Sequence, residues 1–281
     1  MSISAKDVKA LRDQTGAGMM DCKKALTEAN GDLTKAIENL RKKGQKISEK
    51  RADREANEGV VIAVTSGNRN NGIVVRLSCE TDFVSKNDDF VAIAKKIADI
   101  ALTNLPADLE ALNALPYEGG LTIGEKTIEQ TGVIGEKIEL SKYEKIETAT
   151  GTGQVLPYIH MGNRAGVIVA LNQEGPDYVE PGKNVAMQVA AMKPIAIDKD
   201  GVDATVVEKE IEIGKEIARK EGKPEEMLER ISTGKLNKFF KERTLLNQAY
   251  VKGSNKESVS DYLKSIHPDL TVTAFKHIAL G

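Results

Sequence analysis

The chain has 281 residues, 40% hydrophobic and 29% charged, a span that suits two or three domains of an ordinary folded protein. Its 40 basic and 42 acidic residues leave a net charge of −2, and aromatics make up 4% with no tryptophan. This balance argues against a general nucleic-acid binder and against a stacking platform for single strands. Two isolated cysteines, Cys22 and Cys79, exclude a disulfide framework. No apolar leader-like stretch opens the chain, and no window approaches the ~18 consecutive apolar residues of a membrane span. The expectation is a cytoplasmic protein with no membrane partner.

Residues 1–44 read as three short helices. Ser4 suits an N-cap, with Asp7 as the reciprocating acid and Val8 and Leu11 on one face. Gly16 and Gly18 interrupt the pattern. Cys22, Ala25, Leu26 and Ala29 then form a second stripe. Gly31 and Asp32 end that helix and cap the next, where Leu33, Ala36, Ile37 and Leu40 repeat at helical spacing. Residues 45–58 continue a charged run and are expected to be a linker, partly helical. Lys42, Lys43, Lys46, Lys50, Arg51 and Arg54 give the run a basic bias, read first as a solvated tether and second as a contact for an acidic or phosphate-bearing partner.

From Gly59 the period becomes that of strands. "GVVIAVTSGNRNNGIVVRLSCE" predicts a hairpin about a Gly/Asn turn, followed by a helix carrying Phe90, Ile93, Ala94, Ile97 and Leu102. The stretch "GQVLPYIHMGNRAGVIVALNQEG" repeats it. Gly59 and Gly153, Val61 and Val155, Gly72 and Gly166, Leu77 and Leu171 match at one offset, and the match runs on through Val91 and Val185. Residues 59–140 and 141–200 are therefore expected to be two core subdomains of like construction, with an edge strand near Ile138–Ile146. Residues 201–240 read as a helical hairpin whose faces cannot both be buried within itself; it packs on the body or on a second copy of the chain. Residues 241–281 complete the second subdomain and end in a strand. The fold class is α+β, with a duplicated α/β core and antiparallel hairpins.

The chemistry-bearing motifs are missing. There is no GxxxxGK[ST], no GxGxxG after a strand, no HExxH and no Cys/His spacing for a metal. His160, beside the Gly162 turn, reads as a hydrogen-bonded loop residue. Cys22 and Cys79 read as small packed residues, and Met19-Met20 as core or as the rim of a partner site. An enzyme is the weaker class. One feature stands apart: after the apolar run "GIVVRLS" the chain enters "CETDFVSKNDDF", placing Asp82 beside Phe83 in a loop. Such an aromatic either plugs its own subdomain or serves a partner.

"LRDQTGAGMMDCKKAL" (11–26) and "SCETDFVSKN" (78–87) resemble, in order, the two signature segments of the translation elongation factor Ts family. The likeness continues through "GVIVAL", "VAMQVAAMKP" and "GKPEEM", and so covers nearly the whole chain. The resemblance implies a ubiquitin-associated-like N-terminal module, two similar core subdomains and an inserted hairpin. It also implies a guanine-nucleotide exchange factor for the GTPase elongation factor Tu, with no cofactor, metal or catalytic centre of its own. Carried over residue by residue, Asp82 and Phe83 would intrude near the partner's magnesium site, framed by Thr81 and Val84. Met19, Met20 and Lys23 would contact the nucleotide-binding domain, and His160 would lie near the partner. Some members carry a further C-terminal helical module that residues 272–281 do not supply. The expectation is that exchange survives with a smaller interface. A binding adaptor is the competing reading, and pairing of two copies through residues 201–240 is left open.

Overall fold

The computed structural model describes residues 3–253 and 257–281. The chain folds as α+β in two compact units. One comprises Met1–Ile62, Val75–Glu144 and Ile278–Gly281; the other comprises Ala63–Val74 and Lys145–His277.

Helix α1 (Ala5–Thr15) opens with a reciprocal cap. The Asp7 N–H donates to Ser4 Oγ at 3.2 Å, and the Ser4 N–H donates to the Asp7 carboxylate at 3.0 Å. Gly16 ends it in the left-handed region at φ 70°. Helices α2 (Met19–Glu28) and α3 (Leu33–Lys50) complete the module, and Val8, Leu11, Cys22, Ala25, Leu26 and Ala36 form its core. Strands β1 (Glu58–Thr65) and β2 (Asn71–Cys79) follow, then the single turn α4 (Asp82–Ser85) and the long helix α5 (Asp88–Asn104). Helices α6 (Leu109–Ala114) and α7 (Ile123–Ile134) lead to β3 (Glu139–Glu147), which lies beside β2 in a sheet of order β1-β2-β3.

α3 does not stop where the module was expected to end. It runs to Lys50, and Gly44 is buried in the middle of the charged run. The reason is a close crossing on α7: a Cβ on Gly132 would lie 2.6 Å from the Gly44 Cα, so the two helix backbones touch where both residues lack side chains. Residues 45–50 of the expected linker are thus the last turns of a helix, with no buried side chain among them.

In the second unit β4 (Gln154–His160) pairs antiparallel with β5 (Ala165–Leu171), from Gln154 opposite Leu171 to His160 opposite Ala165. Helix α8 (Val179–Met192) covers them, with Val185, Ala186 and Val189 against Leu156, Val169 and Leu171. Helices α9 (Ala204–Lys220) and α10 (Glu225–Arg243) form the hairpin, joined by Lys215–Glu229 and Arg219–Glu225 ion pairs. A Cβ on Gly214 would come within 3.1 Å of Ser232, so these helices also cross closely. At the base of the hairpin the Ile195 N–H donates to the Arg243 carbonyl and the Leu246 N–H to the Ile197 carbonyl, both at 2.9 Å. Helix α11 (Val259–Ile266) and β6 (Val272–Ala279) close the chain, and the second sheet has the order β4-β5-β6. Sequence reading missed α11, although Ser258 and Asp261 form a capping box there.

The duplication is visible in the backbone. Gly59 at φ 148° stands where a Cβ would lie 2.3 Å from the Leu77 carbonyl oxygen. Its counterpart Gly153, at φ 152°, meets the Leu171 carbonyl oxygen at 2.0 Å. Both helices of the repeat end on a non-glycine left-handed residue, Leu105 at φ 44° and Lys193 at φ 46°, each followed by proline.

Candidate functional site

β2 is buried along nearly its whole length and delivers the chain to Glu80 and Thr81. What was expected to be a loop at Thr81–Val84 is one helical turn. Its aromatic faces outward: Phe83 is 84% exposed. This excludes the reading in which Phe83 plugs its own subdomain. Asp82 accepts from Lys86 Nζ at 2.7 Å, and this bond, with the ammonium charge, holds the Asp82 carboxyl below the usual carboxylate range. Val84 and Thr81 are half-buried.

The turn is anchored from behind. The Thr81 N–H and hydroxyl donate to the two Glu136 oxygens at 3.0 and 2.7 Å. Glu80 Oε1 accepts from the Lys137 N–H at 2.6 Å and from Arg51 Nη1 at 2.7 Å. Burial pushes the Glu80 carboxyl up, but those two donors outweigh it and leave the group below its usual value. Beside Phe83 runs a groove of about 560 Å³, lined by Gly16, Val84, Ile93, Val133 and Ile134 among others.

Gly16 lies one short loop from α2, where Met19 is 49% and Met20 76% exposed, with Lys23 exposed one turn on. The methionines are therefore surface and not core. Cys22 turns inward from the same helix, and burial raises its thiol pKa. Cys79 is also buried; burial, then the Glu136 charge, pushes its thiol to about 12. Neither is a thiolate nucleophile at neutral pH. Among the described residues no group of three His, Cys, Asp or Glu could hold a metal ion.

In the second unit His160 ends β4, its Nδ1 3.1 Å from the Tyr158 hydroxyl. The turn after it carries Met161, Gly162 and Asn163 at positive φ, and Met161 is 75% exposed. Met161 was not singled out from the sequence. Its signal was a methionine at the tip of a strand turn, a place where packing has no use for one.

A family model for elongation factor Ts matches residues 80–281 of the chain, from the residue before this helical turn to the last one. The chain belongs to the elongation factor Ts family. Relatives named elongation factor Ts carry the likeness through the N-terminal module as well. That of Cytophaga hutchinsonii is 52% identical over 100% of this chain and 99% of its own length. The relative from Amoebophilus asiaticus is 52% identical over 100% of both, and the one from Christiangramia forsetii 50% identical over 99% of both. The elongation factor Ts family is one of protein biosynthesis, and the two segments that carried the resemblance, 11–26 and 78–87, contain the exposed Met19, Met20 and Phe83.

Proposed function

We propose that this chain is a guanine-nucleotide exchange factor for elongation factor Tu, acting in translation elongation and working by insertion of Asp82 and Phe83 near the partner's magnesium and phosphate site. The observation that carries the reading is Phe83, a large apolar side chain held almost wholly in water on an anchored turn. Burial of that ring in a partner contributes on the order of 2 kcal/mol. GDP is held through its phosphates and a Mg²⁺ ion, so a wedge that shifts their surroundings weakens both contacts. Every ~1.4 kcal/mol taken from that hold weakens GDP binding about tenfold. Reciprocity then requires GDP to weaken the binding of this chain by the same factor. Exchange needs no bond-making residue, which accounts for a sequence empty of catalytic motifs.

Met19, Met20 and Lys23 form the second contact in this reading, with an apolar anchor and a charged rim. His160 and the exposed Met161 form a third in the other unit. The work is cytoplasmic. No nucleic acid or membrane is engaged, and among the described residues no helix is long and apolar enough to cross a membrane. Residues 1–44 serve as the docking module, and the hairpin at 201–240, with Ile213, Ile217 and Met227 exposed, as the face on which two copies pair.

The test is release of a fluorescent GDP from elongation factor Tu with the wild-type chain and with Asp82→Ala/Phe83→Ala. Strong acceleration by the wild type, lost in the variant while binding persists, supports exchange through this turn. Binding without acceleration by the wild type leaves only an adaptor.

A further inference from the structure

We propose that Glu136, some fifty residues downstream of the exposed turn, is the positioning residue that makes Phe83 usable as a wedge. This inference rests on the exchange reading above. The turn is four residues long and has no buried side chain. A helical segment that short does not hold itself together, since nucleation costs more than one turn returns. Its N-cap is also given away. Thr81 stands at the capping position, but its hydroxyl makes no cap bond and donates to Glu136 Oε1 instead. The turn is thus ordered from outside.

The outside support is a reciprocal brace. The Glu136 carboxylate accepts from the N–H of the residue after Glu80, and the Glu80 carboxylate accepts from the N–H of the residue after Glu136. Four charge-assisted or carboxylate bonds meet here, counting Thr81 Oγ1 and Arg51 Nη1. The far side of the brace is itself fixed. Gly135 caps α7 in the left-handed conformation at φ 83°, and the Ile138 N–H donates to the buried Thr131 Oγ1 at 3.0 Å. Lys137 Nζ donates to the Ala52 and Arg54 carbonyls at 2.9 and 3.2 Å. Glu136 therefore sits in a rigid frame and transmits that rigidity to Thr81, one residue from Asp82 and two from Phe83. Both of its carboxylate oxygens are taken by Thr81, so it acts through the turn.

The experiment compares the full-length wild type with Glu136→Ala, Glu136→Gln and Thr81→Val. Amide hydrogen exchange of residues 81–86 in the free protein reads the brace without any partner. We expect exchange there to quicken about tenfold or more in Glu136→Ala and Thr81→Val, with core amides unchanged. Glu136→Gln retains much of the protection, because its amide can accept from the Thr81 N–H and donate to the Thr81 hydroxyl. In fluorescent GDP release from elongation factor Tu, the saturating rate falls about tenfold in Glu136→Ala, while the half-saturating concentration stays within about threefold. Glu136→Gln recovers most of the rate, and the double variant Glu136→Ala/Thr81→Val is no slower than either single one. Wild-type protection and saturating rate in Glu136→Ala overturn the proposal, and so does a loss in Glu136→Ala that is confined to half-saturation. If the wild type fails to accelerate release, the exchange reading falls, and the hydrogen-exchange comparison still decides whether the brace exists.

Discussion

Glu136 grips Thr81 at two points, its carboxylate taking the backbone N–H at 3.0 Å and the hydroxyl at 2.7 Å. Two residues along, Phe83 is left in water. A rigid base under an exposed aromatic is the arrangement expected where burial is deferred to a partner: the ordering cost is met before docking, not during it.

Phe83→Ala separates folding from function. An 84% exposed side chain contributes little to the fold, so the variant's unfolding free energy should stay within about 0.5 kcal/mol of wild type by denaturant titration. Stimulated GDP release should fall by about tenfold or more in the same preparation. A large loss of stability would return Phe83 to the core of its own unit.

Gly132→Ala should destabilise the first unit by about 1–3 kcal/mol, because the new methyl meets the Gly44 backbone, which has no rotamer to move aside. Gly234→Ala in α10 is the matched control. Nothing lies within 4 Å of a Cβ there, so the substitution should stabilise by roughly 0.5–1 kcal/mol through helix propensity. Thermal melting of the two variants checks both signs.

Gly59→Ala and Gly153→Ala should behave alike. Each would put a methyl inside the van der Waals shell of a strand carbonyl, at 2.3 and 2.0 Å, from a φ near 150° that side chains rarely adopt. A loss of about 2 kcal/mol or more is expected for either, measured by urea unfolding. A tolerant site in one copy only would mean that the two hairpins are no longer equivalent.

Stability should decline at alkaline pH. Cys79 and Tyr117 are both pushed up to about 12 by burial, Cys79 further by Glu136 and Tyr117 by Glu118. Between the ordinary values of 9.0 and 10.0 and that raised value, the native state keeps protons that the unfolded chain has released. Their contribution is complete below pH 9 and is lost as pH rises towards 12. Urea midpoints measured from pH 8 upward should fall, and the fall should be shallower in Cys79→Ala.

Much of the fold could be read from the sequence because its signals are local. The Ser4/Asp7 cap, the stripes of the first three helices and the strand–strand–helix repeat each lie within a few residues of one another. The exposed turn was legible for the same reason, as an aromatic misplaced after a buried strand. What escaped depends on distance. The Gly44–Gly132 contact looks in sequence like one glycine in a charged run, and its meaning appears only when α7 arrives. Glu136 is an unremarked acid until the fold sets it against Thr81. Helix α11 escaped for a humbler reason: its capping box is local, but the helix is too short for periodicity to announce it.

The base of the α9–α10 hairpin has a different consequence. The chain leaves at 195–197 and returns at 243–246 side by side and pointing the same way, with Ala196 bridged in parallel to Thr244. Whatever lies between those two segments is thus a detour that begins and ends at one place. Adding a matched turn to each helix would lengthen the arm by about 5.4 Å and leave both attachment points where they are. The arm can change its reach in evolution, or in the hands of an engineer, while the second unit beneath it keeps the same core.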